Sequence, residues 1–146
     1  MNNFEIIAGE RLGEIAFGMS RNALTDLLGP ASEVEAYAFT EANLKAEDWH
    51  YDEHEISVSF EEASDWTLST IASSSPECHF MSLRPIGMSE VSLIEALEAL
   101  EIGEVTKELF EDEEGDETTV VRVAEAFISF WIVDDEVTDI ELRDPA

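Results

Sequence analysis

The sequence predicts an α+β fold in which two tandem helix-then-antiparallel-strand repeats form a sheet with helices on one face. Three observations lead there. The triplet Gly18-Met19-Ser20 recurs 69 residues on as Gly87-Met88-Ser89, and in both places it opens a helix-like stretch. After each such stretch the apolar period changes to two, in Ile56-Ser57-Val58-Ser59-Phe60 and in Ile128-Ser129-Phe130-Trp131-Ile132. The chain's 146 residues, 45% of them apolar, suffice for a single domain, here built of copies at about 1–73 and 77–146.

Taken in order, Ser20 and Ser89 are natural N-caps, since a serine hydroxyl accepts from the free N–H groups of a first helical turn. Neither has the Glu or Gln three residues on that completes a capping box. Leu24, Leu27 and Leu28 form the apolar stripe of the first helix, which Gly29-Pro30 stops; Leu93, Leu97 and Leu100 do the same until Gly103. Trp49-His50-Tyr51 reads as the hairpin partner of the first alternating strand and Leu68 to Ala72 as the strand after it. In the second copy Thr119 to Val123 and Val137 to Leu142 take those places. Ser73-Ser74-Ser75-Pro76 reads as the junction between copies, and the unperiodic stretch from Ala31 to Lys45 as loop. Trp131 and Val133 fall opposite Ile128, Phe130 and Ile132, so this sheet is apolar on both sides. Either an open face binds something there, or the two halves pack together and bury it.

Charge narrows the function. Against 7 Lys or Arg stand 35 Asp or Glu, a net −28. A body this acidic is repelled by phosphate backbones and anionic lipid, which excludes direct nucleic-acid binding and membrane-surface binding. The acidity suits either a positively charged partner or a high-salt solvent. Cys78 is the single cysteine, so no intramolecular disulfide forms. The start of the chain lacks the basic and apolar regions of a secretory signal, and the longest nearly apolar run, Ala126 to Val133, is too short to span a membrane. A cytoplasmic location is expected.

The densest acidic cluster is Glu111, Asp112, Glu113, Glu114, Asp116 and Glu117, with Gly115 making it a loop. Six carboxylates in seven residues suit a cleft lined by Lys and Arg, although a hairpin tip that is merely solvated has the same composition. The spacing does not follow the calcium-loop pattern, and no metal or other cofactor is expected. Asp134, Asp135 and Glu136 turn the last hairpin, as Glu61, Glu62 and Asp65 turn its counterpart. If the copies are equivalent, both turns could flank the long acidic loop. His50 and His54 fall in a hairpin, not on one helix face, and the adjacent Cys78 and His79 point oppositely on an extended segment. No catalytic constellation is legible, and the chain is not expected to be an enzyme.

Leu12-Gly13-Glu14-Ile15-Ala16-Phe17-Gly18-Met19-Ser20, then Leu27-Leu28-Gly29-Pro30, then Trp49 and Tyr51 before Ile56 to Phe60 resemble small bacterial immunity-type proteins encoded beside secreted toxins. The order of elements also resembles the tandem helix-and-sheet repeat of the beta-lactamase inhibitor protein group. The resemblance implies a stoichiometric inhibitor that presents a sheet and its loops to an enzyme and does no chemistry. Members of that group are secreted and disulfide-containing, whereas this chain has one cysteine, so a lactamase is not the expected target. Resemblance and charge together lead to a cytosolic immunity protein that inhibits a cognate toxin domain, with a nuclease of basic substrate cleft as the favoured target. The alternatives are an acidic adaptor or DNA mimic for a basic cellular protein, and an ordinary protein adapted to high salt.

Overall fold

The structure, a computed structural model, describes residues 3–39 and 44–145. A short meander comes first: β1 (Ile6–Ile7), β2 (Arg11–Leu12) and β3 (Ile15–Ala16). Helix α1 (Arg21–Leu28) follows, then β4 (Glu33–Phe39), β5 (Leu44–Tyr51), β6 (Ile56–Glu61) and β7 (Thr67–Ser73). Helix α2 (Glu90–Leu100) precedes β8 (Val105–Glu111), β9 (Glu117–Val123), β10 (Ile128–Val133) and β11 (Glu136–Arg143). The last eight strands form one antiparallel sheet in the order β4-β5-β6-β7-β11-β10-β9-β8.

The α+β expectation of two helix-then-strand repeats is thereby corrected to a mainly β architecture. A continuous eight-stranded sheet and a separate three-stranded one carry the fold, with helices of only 8 and 11 residues. The physical reason lies in strands that have no alternation to read. All seven residues of β8 except half-buried Val105 are exposed, because an edge strand is wetted along its length. On β4 the described side chains are likewise exposed, so the expected loop from Ala31 to Lys45 is in part a strand. Strands of two residues, as in β1 to β3, are too short to show a period at all.

Both serine caps form. Ser20 Oγ accepts from Ala23 N–H at 3.1 Å and Ser89 Oγ from Ser92 N–H at 3.3 Å. The residues before each cap stitch the helix to a strand: Leu68 N–H donates to Met19 O (2.9 Å), and Val137 N–H to Met88 O (2.9 Å). Gly29 ends α1 at φ +83, whereas α2 ends two residues before Gly103, at Glu101 in the left-handed region. Tyr51, buried on β5, donates its hydroxyl to Gly29 O at 3.0 Å and so ties the end of α1 to the sheet.

One face of the large sheet carries the core. Ile56, Val58 and Phe60 of β6, Leu68 and Ile71 of β7, Ile128, Phe130 and Ile132 of β10, and Ile140 and Leu142 of β11 cluster with Leu24, Leu93 and Leu97 of the helices. Ile6, Leu12 and Ile15 of the meander join the same cluster, as does Phe80. The Ser/Pro segment is no loose linker. Ser73 and Ser75 are buried, Ser73 Oγ donates to Glu55 O (2.9 Å) and accepts from Ser75 N–H (3.1 Å), and His79 N–H then donates to Phe4 O (3.1 Å). Small hydroxyls here satisfy the backbone where the chain dives under the sheet.

Cys78 is buried in this cluster, and burial pushes its thiol above the ordinary value of 9.0. Burial likewise raises the Tyr51 phenol above 10.0. For an acid whose folded value is raised, the neutral form is favoured by folding. Its contribution is complete below the ordinary value and is lost as pH rises through the folded one. Unfolding free energy followed by urea melts is therefore expected to decline as pH is raised past 9.0 and further past 10.0. At pH 8 Cys78 should resist a thiol reagent until the chain is unfolded.

Candidate functional site: an acidic end of the sheet

The β8–β9 hairpin closes with Glu111 paired to Glu117. Its tip is built around Asp112, whose Oδ1 accepts from Glu114 N–H (2.9 Å) and Asp116 N–H (2.8 Å). Asp112 N–H donates to Asp116 O (2.9 Å) and Gly115 N–H to Asp112 O (3.1 Å), with Gly115 at φ +88, a conformation glycine adopts without strain. Asp112 is thus spent on shaping the loop, an Asx-type turn. Glu111, Glu113, Glu114, Asp116 and Glu117 are exposed around it.

The β10–β11 turn is tighter. Val133 pairs with Glu136, leaving Asp134 (φ +51) and Asp135 (φ +59) as the two central residues, both positive as a type I′ turn requires. Asp135 Oδ1 also accepts from Glu90 N–H at 3.1 Å, adding a second cap to α2 and placing a carboxylate at the positive end of the helix dipole.

Strand register decides what meets. Ile132 pairs with Thr119, so the β8–β9 tip and the β10–β11 turn fall at the same end of the sheet. Between them lies a cleft of about 460 Å³ lined by Asp116, Glu117, Asp134, Asp135 and Glu90, with Thr119 and Ile132 in its wall. Four of the expected acids therefore converge. Glu111, Asp112, Glu113, Glu114 and Glu136 do not line the cleft, and Glu136 lies instead against Gly87. Glu90 joins unforeseen, because its place depends on α2 docking on the turn; it is held by Lys107 at 3.4 Å. The Glu61, Glu62 and Asp65 turn is at the opposite end: Ile140 pairs with Ser73 and Arg143 with Thr70, which sends the two turns apart. It cannot flank the acidic loop. Among the described residues no group of three His, Cys, Asp or Glu side chains is disposed to hold a metal ion.

The other sheet face is bare. Helices and meander all pack on the side of Phe60 and Phe130, and Trp131 is outside that cluster, so the halves do not fold over one another to bury it. Across β4 to β6 this face carries a polar chain. Ser57 Oγ lies 2.7 Å from His50 Nδ1, and His50 Nε2 lies 3.5 Å from Glu35 Oε1. Hydroxyl, imidazole and carboxylate in that order suggest a hydrolase relay. The hollow beside Ser57, however, is walled by Asp52, Glu55 and Asp139, three carboxylates that would oppose an oxyanion. A cross-strand His50–Ser57 hydrogen bond is the better description, with His50 Nε2 near Glu35 but without a hydrogen-bond partner among the described residues. On its flank Tyr37 donates to Asp48 Oδ1 (3.3 Å), and burial first, then the Asp48 charge, raise the Tyr37 phenol above 10.0.

Comparison with protein-family models, curated proteins and solved structures finds no match for this chain. Among the described residues no helix is long and apolar enough to cross a membrane.

Proposed function

We propose that this chain is a cytosolic immunity-type protein that inhibits a cognate toxin domain, a nuclease with a basic substrate cleft, by occupying phosphate positions with carboxylates. The observation that supports the reading is the cleft where Asp116, Glu117, Asp134, Asp135 and Glu90 converge on two tight, hydrogen-bonded turns. The turns fix the backbone that carries these acids, and Asp135 and Glu90 are held through their side chains as well, which lowers the ordering that binding Lys or Arg would cost. A net −28 steers a cationic partner into encounter, while charge-assisted hydrogen bonds formed at the cleft slow release.

The reading is tested by recovering the chain's partner from its host and measuring association with the purified toxin domain by stopped flow. The association rate is expected to fall roughly tenfold or more as salt rises from about 0.05 to 0.5 M, because screening shortens the Debye length. A salt-independent rate, or a partner without a basic surface, removes the proposal. The composition favours one second reading, adaptation to a salty solvent. If that is correct, the isolated chain loses its fold at low ionic strength and regains it in molar salt.

A further inference from the structure

We infer that the bare face of the sheet is a second contact surface, centred on Trp131, for an arginine side chain of a cationic protein partner. The inference rests on the cationic partner proposed above and adds where that partner is held and by which chemistry.

Trp131 stands half-buried on β10, beside Val133 and in register with Val120 of β9, which is fully buried although it lies outside the core cluster. Phe110 of β8 shares this face and is exposed. On the other flank the β11 partner of Trp131 is Asp139, and that of Ser129 is Glu141. A hollow of about 190 Å³ runs between them, lined by Trp131, Asp139, Glu141, Ile140 and Ala72. Small Ala72 leaves the hollow room on the β7 side.

The walls are fixed in place. Trp131 pairs with Asp139 but Ile132 with Val137, so Thr138 is the extra residue of a bulge. Its hydroxyl donates to Asp139 Oδ2 at 2.9 Å, the shorter of its two contacts, and lies 3.3 Å from Trp131 O, which orients the carboxylate beside the strand that carries the indole. Glu141 already accepts from a guanidinium, Arg143 Nε at 3.0 Å, through one oxygen.

Charge complementarity selects the occupant. Among the described residues Glu33, Glu35, Asp48, Glu61, Glu108, Asp139 and Glu141 share this face with Arg122, Arg143 and His50, and Arg122 is held by Glu108 at 2.7 Å. A second copy of the chain would bring −28 against −28. An indole face flanked by carboxylates suits a planar guanidinium, which stacks on the ring and offers its fork to Asp139. A lysine ammonium can approach the ring and the carboxylate but has neither a planar face to stack nor a fork to present.

The test is an NMR titration of the full chain, labelled with nitrogen-15, using hexa-arginine and hexa-lysine peptides at low salt. We expect the Trp131 indole N–H and the Ala72, Asp139 and Glu141 amides to shift saturably, with hexa-arginine roughly tenfold the tighter. Trp131→Ala and, separately, Asp139→Asn should each remove that preference while the remaining amide spectrum is kept; Trp131→Phe should keep part of it. Shifts confined to the 111–117 tip and the 134–135 turn overturn this inference and leave the acidic-cleft reading standing. Equal shifts with both peptides, or self-association of the free chain that Trp131→Ala abolishes, overturn it too. No shift anywhere defeats both readings.

Discussion

Replacing Phe130 by alanine is expected to lower the unfolding free energy by about 3–5 kcal/mol, a large fraction of the roughly 5–15 kcal/mol that holds an ordinary domain folded. Phe130 is 0% exposed on β10, paired with Val121 on one side and Ile140 on the other. Strands flanked on both sides cannot collapse inward without breaking two ladders, so the cavity persists and its full cost is felt. Phe130→Leu keeps most of the volume and should lose much less. Urea denaturation followed by tryptophan fluorescence reads both. An alanine variant within 1 kcal/mol of the parent would show that the core face is not where the stability resides.

Neutralising Asp116, Glu117 and Asp134 together is expected to weaken the proposed complex with a toxin domain by about 3 kcal/mol or more, a hundredfold or greater in affinity. These three are chosen because they line the cleft and no hydrogen bond of the two turns rests on their side chains. Asp112 holds the tip and Asp135 caps α2, so changing either would mix a folding effect into the result. The comparison variant neutralises Asp26, Glu95 and Glu98 on the helices, which alters net charge equally. It should slow association slightly through weaker steering and leave dissociation unchanged. Equal losses in the two variants would mean that only bulk charge matters and that the cleft is not the contact.

The parts of this architecture legible in the sequence are those where chemistry is local. Ser20 and Ser89 announce helix starts because a cap needs one hydroxyl within a turn of its acceptors. The strands at Ile56 and Ile128 announce themselves because one side is buried and the other is not. Edge strands β4 and β8 give no such sign, so alternation in the sequence under-represents strand relative to helix. The candidate site was half legible for a related reason. Asp116 and Asp134 are 18 positions apart, and only the pairing of Ile132 with Thr119 makes them neighbours. Register is a long-range property, set by hydrophobic pattern and turn geometry together, and no spacing rule reports it. Glu90 was invisible because its approach to the cleft depends on a helix docking on a turn. The two-residue period puts Trp131 on the side of β10 opposite Phe130, but its surroundings follow from which elements pack on the core face.

The sheet has two unsealed margins, with Val34 and Tyr37 on one and Leu109 and Phe110 on the other, all substantially exposed. Such margins are templates on which further chains can be laid down, strand against strand, into fibres. Here each is studded with like charge, Glu33 and Glu35 on β4 and Glu108 and Glu111 on β8, so that repulsion opposes the approach of a second copy. The surplus of acid therefore has a housekeeping consequence whatever its partner: it opposes the stacking of copies along the unsealed margins of the sheet.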